Sequence, residues 1–141
     1  MRRRLAVAAT VASSALLVLA APAQAEPSFL HADLTGAAEV PGPGDPDGGG
    51  TAFVVALPDQ GKVCFALFVH GIGTANGAHI HEAPADEAGP VVVTLEPPAS
   101  GGSGGCGDTA EAADIATHPE DYYVNVHNAE FPGGAVRGQL S

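Results

Sequence analysis

The chain has 141 residues, with 16 Asp and Glu against 5 Lys and Arg and a formal net charge of −11. Three of those basic residues, Arg2, Arg3 and Arg4, sit at the extreme N-terminus, so the remainder carries about −14. Such a surface repels polyanions, which excludes nucleic acid and anionic lipid as partners and suits the capture of cations.

The arginine cluster is followed by an apolar run of Ala, Val and Leu over residues 5–21 and by Ala23-Gln24-Ala25, a small-x-small cleavage pattern. Residues 1–25 therefore read as a signal peptide. Residues 26–141 read as a single secreted, extracellular domain with no membrane attachment after cleavage. Two cysteines remain in this oxidising setting, Cys64 and Cys106, and the one available pairing is a disulfide between them.

Along the domain, short β-like runs alternate with Gly, Pro and Asp. Residues 29–35 place Leu30, Ala32 and Leu34 on one face. Residues 51–57 stop at the turn signal Pro58-Asp59-Gln60-Gly61, and residues 62–70 follow with Val63, Phe65, Leu67 and Val69 in register, predicting a hairpin. Residues 77–82, 90–96, 122–128 and 134–140 complete about seven strands. Residues 36–50 and 97–107 are too rich in breakers for strands, and the second reads as a flexible Gly/Ser connection. Residues 108–117 (DTAEAADIAT) carry a candidate N-cap in Asp108 and an acidic first turn, predicting one short helix ended by His118-Pro119.

The sharpest chemical signal is Ala78-His79-Ile80-His81-Glu82. On a strand, His79 and His81 share a face with Cα atoms about 7 Å apart, while Ile80 enters the core. In Tyr123-Val124-Asn125-Val126-His127 the two valines take the core face, placing Tyr123, Asn125 and His127 outside. If the two strands are neighbours, His79, His81 and His127 converge. Three imidazoles suit copper or zinc rather than magnesium or calcium. The competing reading is three solvated histidines on a polar sheet face.

Other candidates are weaker. Asp45-Pro46-Asp47-Gly48 lacks the later glutamate of a calcium loop and reads as a turn. His31, His70 and His118 read as surface residues without partners. No serine lies in a nucleophile-elbow pattern and no glycine run fits a phosphate loop, so neither a hydrolase nor a nucleotide-binding protein is supported.

The motifs Thr35-Gly36-Ala37-Ala38-Glu39-Val40-Pro41, Ala78-His79-Ile80-His81, Gly89-Pro90-Val91-Val92-Val93, Tyr123-Val124-Asn125-Val126-His127 and Phe131-Pro132-Gly133-Gly134-Ala135-Val136-Arg137-Gly138-Gln139-Leu140 resemble, in family order, the CHRD domain. That domain is named for chordin and is widespread in secreted bacterial proteins. The resemblance implies a binding module.

A second, local resemblance is to Cu/Zn superoxide dismutases. It matches His79 and His81 to their His-x-His copper ligands, His127 to a later copper histidine, and Arg137 to the arginine that guides the superoxide anion. The zinc and bridging ligands have no counterpart, since Ala-Pro-Ala-Asp-Glu-Ala-Gly-Pro after Glu82 contains no histidine.

The fold expected is all-β, an antiparallel Greek-key β-sandwich of about seven strands, superoxide-dismutase-like or immunoglobulin-like, with one short helix. The function expected is a secreted CHRD binding protein with copper on His79, His81 and His127. Glu82 and Asn125 would orient the imidazoles, and Arg137 would pair with a neighbouring carboxylate or guide an anion. A copper-only dismutase-like enzyme and a metal-free module that recognises an extracellular or cell-wall protein are the alternatives.

Overall fold

Period-two alternation becomes, in three dimensions, the two faces of one curved sheet. The computed structural model describes residues 23–141, and the predicted signal peptide lies outside the described residues except for its last three. The strands are β1 (Ser28–Thr35), β2 (Gly49–Leu57), β3 (Lys62–His70), β4 (Ala75–Glu82), β5 (Val91–Leu95), β6 (Gly102–Asp108), β7 (Tyr122–Asn128) and β8 (Val136–Gln139). One helix, α1 (Ala112–Thr117), precedes β7. Strand order is β5-β4-β7-β8-β1-β2-β3-β6, and every pairing is antiparallel.

The sheet curls until its end strands face one another. No backbone ladder joins β5 to β6; instead Ser103 Oγ donates to the Glu96 carbonyl at 2.6 Å and Thr109 Oγ1 to the Val92 carbonyl at 3.4 Å. A glycine permits the approach, because a Cβ on Gly107 would stand 3.0 Å from the Val93 side chain. The result is an all-β, sandwich-like and nearly barrel-like architecture with one short helix, as the sequence leads one to expect.

The interior is filled by the alternate residues: Leu30, Ala32 and Leu34 of β1, Val54 of β2, Val63 and Leu67 of β3, Ile80 of β4, and Val124 and Val126 of β7 are all buried. Helix α1 turns Ala112 and Ile115 inward against β2. Full burial of a side chain such as Ile80 or Ile115 contributes about 1.5–3 kcal/mol.

Three expectations need correction. The Gly/Ser segment expected as a flexible connection is β6, so the strands number eight. Its seven residues pair with β3 in register, with Cys106 opposite Cys64 and the expected disulfide joining them. Second, Asp108 does not cap the helix: it ends β6 and pairs with Lys62. Helix α1 begins only at Ala112 and has no side-chain cap. Third, His118 has a partner, since its Nδ1 lies 2.9 Å from Asp114 Oδ1 one helical turn away.

Candidate metal centre

Strands β4 and β7 are neighbours, and their register opposes Gly77 to His127, His79 to Asn125 and His81 to Tyr123. Directly opposed residues share a face. His79, His81 and His127 therefore stand on the outer wall, while Ile80, Val124 and Val126 point inward. Gly77 makes room for the group: a Cβ there would already touch the His127 ring at 3.5 Å and the His79 ring at 3.7 Å.

The three rings meet at close range. His79 Nδ1 lies 3.1 Å from His127 Nε2, and one nitrogen from each histidine falls within 4.8 Å of the others. Tetrahedral nitrogen ligands about 2.0 Å from one ion stand about 3.3 Å apart. The 3.1 Å pair already meets that spacing, and the third nitrogen stands within 4.8 Å.

The outer nitrogens decide which atoms face the centre. His81 Nδ1 donates to the Gly89 carbonyl at 2.9 Å, and His127 Nδ1 donates to the Pro132 carbonyl at 3.0 Å. A carbonyl only accepts, so both rings carry their proton on Nδ1 and keep a bare lone pair on Nε2. His127 Nε2 accepts from His79. His81 Nε2 is buried and has no partner, an unusual state for a polar atom. Burial, aided by the other histidines, holds the His79 imidazole below the ordinary histidine pKa. Burial also lowers His127, against the opposing effect of its bond to Pro132. Both are therefore neutral donors at neutral pH.

The face around the histidines is not the solvated surface the alternation suggests. Tyr123 and Asn125 are each 3% exposed. The loop over residues 83–90 is tied down beside Tyr123 at several points, and Glu39 stands against Asn125. Gly89 N–H donates to the Tyr123 hydroxyl at 3.2 Å, and Gln139 Nε2 donates to the Ala83 carbonyl at 2.7 Å. Arg137 donates through Nη1 to the Glu87 carbonyl and through Nη2 to the Pro84 carbonyl, both at 2.8 Å. The His81 ring stacks on Tyr123, centroids 4.8 Å apart and planes within 7°, and the Arg137 guanidinium lies 3.4 Å from the centre of the Tyr123 ring.

The structure thus brings His79, His81 and His127 together but gives the accompanying residues other places. Glu82 is exposed and lies on the face of Ile80, away from the imidazoles. Asn125 stands between His79 and Arg137 in register and bonds neither His81 nor His127 through their outer nitrogens, which backbone carbonyls hold instead. Arg137 forms no ion pair with a carboxylate among the described residues, and at 1% exposure it offers nothing to an anion in solution. The anion-guide role loses its footing.

Sequence reasoning missed Gly89 and Pro132, whose carbonyls fix the tautomers. The glycine-proline pair at 89–90 was the one available signal that the chain turns there. It also missed Glu39, 7% exposed, whose carboxyl burial pushes up to about 7 despite the nearby Arg137 guanidinium and a hydrogen bond with Asn125.

Fold and site together define a disulfide-linked all-β domain with three histidines close enough to hold one metal ion. The CHRD domain family matches residues 30–140, and the chain belongs to that family. No curated protein and no solved structure matches it. Among the described residues no helix is long and apolar enough to cross a membrane.

Proposed function

We propose that this chain is a secreted CHRD binding domain that holds one copper ion on His79, His81 and His127. The observation that carries this reading is the buried, partnerless Nε2 of His81, beside nitrogens of His79 and His127, with the tautomers of His81 and His127 set from behind by backbone carbonyls. Backbone carbonyls on the far ring nitrogen are the usual orienting partners of metal-binding histidines. An all-imidazole donor set fits copper best among the common divalent ions. Copper bound there would supply a cation with at least one position free for a further ligand. The chain's own part is to supply three neutral nitrogens and fixed ring orientations.

A copper titration of the oxidised protein, read by optical and spin-resonance spectra, tests this. One tight equivalent with several nitrogen ligands is expected, lost in His79→Ala and His127→Ala without a change in fold. Unchanged affinity in both variants overturns the reading.

A second reading, recognition of an extracellular or cell-wall protein without metal, draws on a different observation. Phe29, Phe53 and Phe68 are 81%, 53% and 55% exposed on neighbouring strands β1, β2 and β3, on the wall away from the histidines. Capture of a defined secreted partner that survives chelation, and is lost on changing Phe53 and Phe68 to Ser, supports that role.

A further inference from the structure

Arg137 is the largest fully buried side chain among the described residues, and as a charged group it needs an explanation. It meets no carboxylate at ion-pair distance. Its charge is met by the Glu87 and Pro84 carbonyls, by Gln139 Oε1 at 3.5 Å, by the Tyr123 ring beneath it and, beyond ion-pair distance, by the Glu39 carboxyl. Strand β7 lies between β4 and β8; Tyr123 is opposite His81 on β4 and Gln139 on β8, and Arg137, two residues before Gln139, reaches diagonally to lay its guanidinium over the Tyr123 ring. A guanidinium, a phenol ring and an imidazole therefore form one column across three strands. We infer that Arg137 is a positioning residue for the metal centre, acting through Tyr123 to hold the plane of the His81 imidazole.

Three features support this over a purely structural role. The His81 and Tyr123 planes are within 7° of parallel, whereas His79 stands at 85° to His81 and 63° to His127. The nearly parallel pair is the one that Arg137 backs. A planar cation held flat on the phenol ring fixes that ring in turn, since it is itself pinned at both terminal nitrogens. Finally, the same loop closes the arrangement: residues 84 and 87 hold Arg137, while Gly89 accepts a hydrogen bond from His81 Nδ1 through its carbonyl and donates one to the Tyr123 hydroxyl through its N–H. The column and the loop leave His81 Nε2 a single direction in which to point.

The inference rests on the copper reading, and the experiment separates the two. Wild-type protein, Arg137→Met, Tyr123→Leu and Tyr123→Phe are titrated with copper and compared by spin resonance, with circular dichroism and thermal melting of the metal-free forms recorded alongside. Arg137→Met keeps the length of the side chain without its plane or charge, and Tyr123→Leu keeps bulk without a flat face. Both are expected to bind copper about 10-fold more weakly and to give more than one copper species, because loosening the support of a ligand typically costs 10–100-fold in affinity. Tyr123→Phe retains the ring and is expected to give the single wild-type species.

If Arg137→Met does not fold, the contrast between Tyr123→Leu and Tyr123→Phe decides the matter. Folded Arg137→Met or Tyr123→Leu protein with wild-type affinity and one unchanged spectrum overturns the positioning role and leaves the metal site standing. Wild-type protein without a stoichiometric copper site overturns both.

Discussion

Replacing Cys64 and Cys106 together by Ala is expected to do more than lower stability, because the disulfide holds a strand with little else to keep it. The bond closes a loop with a sequence separation of 42. In the chain-entropy treatment a loop of that size contributes about 4 kcal/mol. Strand β6 reads GSGGCGD and has no buried residue. Its ladder to β3 gains about 1 kcal/mol net per hydrogen bond, while its four glycines each cost about 0.5–1 kcal/mol of extra ordering relative to Ala.

The glycines offset a large part of what the ladder gains, so the cross-link is the main tie that keeps β6 on the sheet. The Ala/Ala variant should lose about 4 kcal/mol in urea unfolding and expose β6 first. Hydrogen exchange reads this directly: β6 amides exchange well before those of β2 in the variant and remain protected in the oxidised protein. A variant within about 1 kcal/mol of the parent, or β6 amides as slow as those of β2, refutes the reasoning.

Two further outcomes follow from particular side chains. Burial raises the Glu39 carboxyl to about 7, so between its unfolded value and pH 7 the folded protein holds more protons than the unfolded one, and stability falls as pH rises through that window. Glu39→Gln should flatten the dependence and stabilise the protein by about 1–2 kcal/mol at pH 8, a value discounted for partial solvent screening; equal slopes of melting temperature against pH in the two proteins would falsify this. At Gly89 a Cβ would stand 1.9 Å from the Glu82 carbonyl oxygen, so Gly89→Ala must displace the carbonyl that holds His81 Nδ1. Copper affinity should fall about 10-fold or more with the sheet retained, and wild-type affinity in that variant would show that the carbonyl does not orient the ring.

What the sequence makes legible is what period-two alternation encodes. Leu30, Ala32 and Leu34, or Val124 and Val126, announce their faces because burying alternate apolar residues is the reason those strands exist. The same periodicity places His79 and His81 side by side, and the match of one strand to the next brings in His127. Strand β6 is invisible to such reasoning because its glycines carry no side-chain signal; its pairing is dictated by the open edge of β3 and the cysteine opposite. The burial of Tyr123, Asn125 and Arg137 is equally hidden. For Tyr123 and Arg137 it depends on a loop folding back over the outer wall, for Asn125 on the approach of Glu39, and the carbonyls that hold Arg137, His81 and His127 belong to backbone positions that any residue supplies.

The seam between β5 and β6 makes the domain a split ring rather than a hoop. Seven of the eight junctions between adjacent strands are stitched by backbone ladders; the eighth is latched by the hydroxyls of Ser103 and Thr109. That latch holds by side chains alone, whereas even the shortest ladder, between β1 and β8, pairs backbone at Thr35 and Arg137. The slit lies between β5, which neighbours the histidine-bearing β4, and β6, which the disulfide ties to β3. The packed core is thus enclosed by seven ladders and one side-chain seam, and the seam sets the disulfide-held edge beside the edge next to the histidine strand.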